Sequence, residues 1–158
     1  MNFSNHPSNG YAIRTADLKD KKRVDAYTRF FKASCMAYDF TRTNPFAAAQ
    51  ITYAQFPDLR EQMNPQLALD AMLELGTAYF EGDRVGKGYG YSDPAAWKSY
   101  IETVHGLGQI ENHLKVENVI SNAFVEGAND YDREKVREQA KAHPLTDEFK
   151  DLKVNYAL

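Results

Sequence analysis

A chain of 158 residues and 18.0 kDa has room for one domain, and at that size it buries roughly 68–70% of its unfolded surface without a metal or disulfide staple. With 19 basic against 22 acidic residues the net charge is -3, which excludes a nucleic-acid binder that works by neutralising phosphates. A lone cysteine excludes an internal disulfide framework and a cysteine-built zinc site, and no apolar run approaches the ~20 residues of a membrane span.

Residues 1–158 are expected to form a single domain, with a polar, irregular and mobile start over residues 1–9. Residues 1–16 hold no apolar signal-peptide core, so the chain as written is expected in the cytoplasm. Tyr11 to Thr15 alternates briefly and suggests a short strand. From Asp17 to about Thr41 a long helix is expected. Val24, Tyr27, Phe31, Cys35 and Tyr38 recur at three- and four-residue steps along it.

Three further helices announce their starts alike. Asn44-Pro45, Asn64-Pro65 and Asp93-Pro94 each place a capping oxygen before a proline. The side chain can accept from the first free backbone N–H groups, and proline in the first turn loses no hydrogen bond. The first of these helices runs to about Phe56, with Phe46, Ala49, Tyr53 and Phe56 on one side. The second runs to about Phe80 and carries two apolar stripes, one of Ala68, Met72, Leu75 and Tyr79, the other of Leu69, Leu73 and Phe80. That breadth predicts burial between two layers. The third carries Trp97, Tyr100, Ile101 and Val104 and ends near Gly106. A short helix is expected around Val116–Ile120 and a thin-faced surface helix over Tyr131–Ala142, while the tail over Leu145–Leu158 is ambiguous. The fold class is therefore mainly α, with five or six packed helices and one or two short strands.

No residue pattern proposes a reaction. Glu102-x-x-His105 has di-iron spacing, but such a site needs a second pair and two more glutamates. Gly82 to Gly88 lacks the glycine spacing of a phosphate loop and follows a helix rather than a strand. His105, Glu111 and His113 lie close in sequence, yet no helical or hairpin spacing aligns them on a metal. Cys35 reads as a small buried side chain. No catalytic residue, metal site or cofactor is expected. The most distinctive stretch is Tyr89-Gly-Tyr91-Ser-Asp93-Pro94-Ala-Ala-Trp97, where three aromatics crowd a glycine-rich loop and the first turn of a helix. Such a loop can wall a binding cleft. The commoner role of such residues is structural, with Trp97 anchoring the helix to the core under a cover of tyrosines.

From about Gly10 to Val154, the chain resembles the C-terminal half of periplasmic solute-binding proteins of ABC importers for nitrate, sulfonates, taurine and thiamine pyrimidine precursors. Val24-Asp-Ala-Tyr-Thr-Arg-Phe-Phe-Lys-Ala33 is similar to that family's "v-v-r-r-F-l-k-A" helix. Asn44-Pro45-Phe-Ala-Ala-Ala49 is similar to "a-n-P-e-e-A-A", and Gly90-Tyr91-Ser-Asp93-Pro94-Ala-Ala-Trp97 to "G-w-m-D-P-x-x-W". Leu107-Gly-Gln-Ile110 and Val116 through Phe124 follow in the family's order. The resemblance implies part of a two-lobed α/β fold and a non-enzymatic small-solute-binding module, with an ABC permease as the family's partner and the periplasm as its location. It places Tyr89, Tyr91 and Trp97 near the ligand, with Tyr91 standing where tryptophan is usual. The family's N-terminal half is missing, so a complementing segment or a homodimer is expected to replace it. The two-stripe helix after Pro65 offers a face for self-association. The alternative is a stand-alone, self-associating all-α interaction protein. A thiamine-precursor synthase, the enzyme reading, would need residues of the missing half.

Overall fold

The computed structural model describes residues 10–78, 83 and 85–154. Helix α1 spans Lys21–Thr43, α2 Pro45–Gln55, α3 Leu59–Gln62 and α4 Pro65–Ala78; α5 spans Pro94–Gly106, α6 Val125–Asn129, α7 Arg133–Ala142 and α8 Asp147–Lys150. Single 3-10 turns cover Thr15–Lys19 and Val116–Asn118. Mainly α is thus the fold class, and the described residues contain no strand.

All three helix starts form as their sequences dictate. Asn44 Oδ1 accepts from the Ala47 N–H at 3.0 Å, Asn64 Oδ1 from Leu67 at 2.9 Å, and Asp93 Oδ1 from Ala95 at 2.9 Å. The expected strand at Tyr11–Thr15 does not form. Among the described residues no strand stands beside it to share a ladder. The Asp17 carboxylate instead accepts from the Tyr27 hydroxyl at 2.6 Å and from Arg14 Nε at 3.3 Å, which ties the segment to α1 as a 3-10 turn. Because Asp17 is spent on that contact, Asp20 caps α1 and the helix begins at Lys21.

Helix α1 is the common support of two apolar clusters. On one side, α2 and α4 pack on each other around Ala49, Tyr53, Ala68, Leu69 and Leu73, and Phe149 of α8 plugs that core. Burying one such leucine contributes about 1.5–3 kcal/mol. On the other side α6 and α7 lie on α1. There Cys35, Tyr89 and Ala128 are buried, and Tyr27, Phe31 and Phe124 meet edge-on or stacked.

The breadth expected of α4 is real on Ala68, Leu69 and Leu73, and its neighbours within the chain cover that face. Self-association through it would therefore compete with α2. Tyr79 and Phe80 of its stripes lie outside the described residues, as do residues 1–9. Phe56 departs from expectation, being 58% exposed. Pro57 ends the helix before it, and the chain turns there to begin α3. Helix α7 buries Val136 and Ala140 beneath its charged face and starts at Arg133, because Asp132 caps it. The ambiguous tail includes α8.

Cys35 is 4% exposed, and burial pushes its thiol up to about 11. A thiolate is the reactive form. Ellman's reagent at pH 8 is therefore expected to label the native chain on the order of a hundredfold more slowly than the urea-unfolded chain. Equal rates would contradict the buried placement.

Candidate functional site

Tyr89, Tyr91 and Trp97 sit in one loop and one helix start, yet the fold gives them different surroundings. Tyr89 is 2% exposed. Its hydroxyl donates to Asp39 Oδ1 at 2.8 Å and accepts from Arg42 Nη1 at 3.0 Å. Its backbone is clasped by Asn129, which accepts from the Tyr89 N–H at 2.9 Å and donates to the Tyr89 carbonyl at 3.0 Å. Gly88 permits that clasp: its φ is +91°, and an added Cβ would lie 2.9 Å from the Asn129 side chain. A second clasp follows, in which Asn122 accepts from the Ser92 N–H at 2.8 Å and donates to its carbonyl at 2.9 Å. Tyr91, between the clasps, is half-buried. Trp97 is also half-buried, and its ring meets Tyr100 edge-on at 6.1 Å.

Around Tyr89 lies a closed polar cluster that joins α1, the aromatic loop, α6 and α7. Asp39 is 2% exposed and also accepts from the Tyr131 hydroxyl at 2.6 Å. Arg133 Nε and Arg137 Nη2 each stand 3.5 Å from its carboxylate. The Arg133 guanidinium lies over the Tyr89 ring at 4.7 Å, a cation–π distance. Its Nη1 donates to Asp83 Oδ1 at 2.6 Å, and Arg42 donates to Asp83 Oδ2 at 2.9 Å.

The ionisation tendencies follow from this packing. Burial, with Asp39 beside it, pushes the Tyr89 phenol up to about 12, although Arg42 pulls the other way. Burial and Asp39 raise Tyr131 further still. Burial acts to raise Asp83, but Arg133 and Arg42 outweigh it and hold the carboxyl below its ordinary range. Among the described residues no buried side-chain nitrogen or oxygen lacks a partner. The cluster spends its charges internally, so it acts as a clamp on the aromatic loop.

A pocket of about 220 Å³ opens between α5 and the segment leading into the second 3-10 turn. Ile101, 3% exposed, forms its floor, with Leu114 and Val116 beside it. Lys98, Lys115 and His113 bring cationic or hydrogen-bonding groups to its rim, and Glu117 brings one acid. Lys98 also reaches Glu102 at 3.8 Å, but both side chains are more than half exposed, so water screens that pair and leaves Lys98 able to turn.

His113 meets His105 edge-on, with ring centroids 5.4 Å apart. These two histidines are near in sequence, and the fold makes them touch. Among the described residues no group of three or more His, Cys, Asp or Glu side chains is placed to hold a metal. Neither Trp97 nor Tyr89 nor Tyr91 lines this pocket. The residues that the sequence did not single out as site residues are Lys98 and Lys115 at the pocket, and Asp39, Asn122, Asn129 and Arg133 behind the loop; Ile101 was read only as part of an apolar helix face. Helical periodicity marks Ile101 as inward-facing, but nothing local pairs it with residues 113–117.

No protein-family model, curated protein or solved structure matches the chain. Among the described residues no helix is long and apolar enough to cross a membrane.

Proposed function

We propose that the chain is a non-enzymatic binding module for small organic anions, in the manner of part of an ABC-importer substrate-binding protein, with its site between Lys98 and Lys115. The observation that carries this reading is the pocket's make-up, an apolar floor at Ile101 lined by two lysines and a histidine against one acid, Glu117. Such a site favours a compact ligand with a short carbon body and one negative group, as in a sulfonate or carboxylate. At about 220 Å³ it lies below the roughly 300–1,000 Å³ of drug-sized sites, so it suits a compact ligand of up to about ten heavy atoms. The clasped aromatic loop leads directly into helix α5, which carries Lys98 and Ile101.

The test is calorimetric and thermal-shift titration of the chain with ethanesulfonate, taurine, nitrate and a pyrimidine. The sulfonate is expected to bind with an affinity of about 1 mM, or roughly 4 kcal/mol. Lys98→Ala and Lys115→Ala are each expected to weaken it about fivefold, near 1 kcal/mol. Absence of heat and of thermal shift with every member of the panel would reject the reading.

A further inference from the structure

The solvent side of α1 breaks the usual rule that a helix shows polar residues to water. Ala26, Phe30, Ala33, Ala37 and Phe40 follow one another at steps of four and three. At 100° per residue they lie on the side of the helix opposite Val24, Phe31 and Cys35. The three alanines are exposed, Phe30 is 53% exposed although the Tyr11 ring meets it edge-on at 5.3 Å, and Phe40 is half-buried with His143 edge-on at 5.9 Å. A mean step of ~3.5 residues is the repeat of a seam into which a second helix sets its knobs. Toward its C-terminal end the stripe opens into a groove of about 330 Å³ between α1, α2 and α7. Met36, Phe40, Ile51 and Val136 line it, and among the described residues no charged side chain does.

Charge selects the occupant. From Lys21 to Arg29 the exposed charges are Lys21, Lys22, Arg23 and Arg29 against one acid, Asp25. On the helical wheel, Lys22 and Arg29 border one side of the stripe and Arg23 the other. We propose that this face docks an amphipathic helix with acidic flanks, presented by a partner protein. Its apolar seam lies on Phe30 and the alanines, a large side chain fills the groove at Met36 and Ile51, and its acids meet Arg23, Arg29 and Lys22. A second copy of this chain fits less well. Pairing α1 with itself in parallel sets basic border against basic border. Antiparallel pairing sets that border against the uncharged groove.

The experiment uses the full chain and a fluorescein-labelled synthetic helix with leucine at its seam and glutamate at its flanks. Anisotropy is expected to give binding in the tens of micromolar. The double variant Arg23→Glu with Arg29→Glu, and separately Phe30→Ser, are each expected to weaken it at least tenfold. All three positions are exposed, so far-UV circular dichroism is expected to stay unchanged. Raising salt from about 50 to 500 mM is expected to weaken binding several-fold. Equal binding of the same peptide with lysine flanks would overturn the proposal. Binding to phosphatidylserine vesicles without peptide binding would reassign the face to a lipid surface and overturn it. A dimer in sedimentation that Phe30→Ser dissolves, with no peptide bound, would overturn it in favour of a second copy. Sulfonate titration reads the pocket on α5 and is unaffected by these outcomes.

Discussion

Replacing Asp39 by alanine is expected to destabilise the chain by about 3–5 kcal/mol, the cost of removing one partner from a buried charged pair. Asp39 is 2% exposed and accepts from both Tyr89 and Tyr131, with Arg133 and Arg137 at 3.5 Å. Without it the Tyr89 phenol loses the carboxylate it donates to, Tyr131 is left with the Cys35 carbonyl at 2.9 Å, and two guanidiniums lose an anion in a place where water reaches them only partly. The arginines are each about a third exposed, with side-chain accessibility of 28% and 40%, so solvent recovers part of their loss. Tyr89, 2% exposed, recovers little from solvent while the loop stays closed. Urea unfolding of Asp39→Ala checks this, with Tyr131→Phe as the control that removes one hydroxyl and costs about 1 kcal/mol. A loss below about 1 kcal/mol for Asp39→Ala would mean that the cluster is screened like a surface ion pair and does not clamp the aromatic loop.

Phe149→Ala is expected to cost about 3–5 kcal/mol, the range for deleting a buried aromatic. Phe149 is 2% exposed and meets Tyr53 edge-on at 5.7 Å within the cluster of Ala49, Leu69 and Leu73. It stands on α8, a helix of only four residues, which is far too short to persist alone. Nearby polar contacts help to seat this tail: Gln50 accepts from the Thr146 N–H at 2.8 Å, and Gln66 donates to the Lys153 carbonyl at 2.7 Å. Both contacts are exposed to water, so the buried aromatic plug holds the tail more strongly than they do. Hydrogen exchange is expected to show residues 145–153 losing protection in the variant while α1 keeps its own. Unchanged protection over residues 145–153 would show that the glutamine contacts suffice.

What the sequence revealed and what it hid divide along the range of the forces involved. The starts of α2, α4 and α5 were legible because Asn44, Asn64 and Asp93 act on backbone groups two or three residues away. The buried face of α1 was legible because periodicity is local to a helix. Phe56 was misjudged because the same periodicity continues through the residue at which Pro57 stops the helix. The strand at Tyr11–Thr15 failed because a strand depends on a neighbour that no local pattern supplies. Asp39 was invisible for a similar reason. Its partners lie 50 and 92 residues away at Tyr89 and Tyr131, and no spacing rule links them. Tyr89 was singled out as an aromatic in a glycine-rich loop, but its commitment to Asp39 belongs to tertiary structure. The pocket was hidden likewise, since Lys98 and Lys115 come from different segments that meet only in the fold. The crowding of aromatics and glycines drew attention to the loop ahead of α5, and it could not name those two lysines.

An amide NMR titration of the full chain with ethanesulfonate tests the proposed site residue by residue. Saturable shifts are expected at Lys98–Ile101 and His113–Glu117, with Tyr89 and Asp39 unmoved behind the clasped loop. Shifts absent at millimolar ligand, or centred on the groove beside Met36 and Ile51 instead, would contradict an anion site between Lys98 and Lys115.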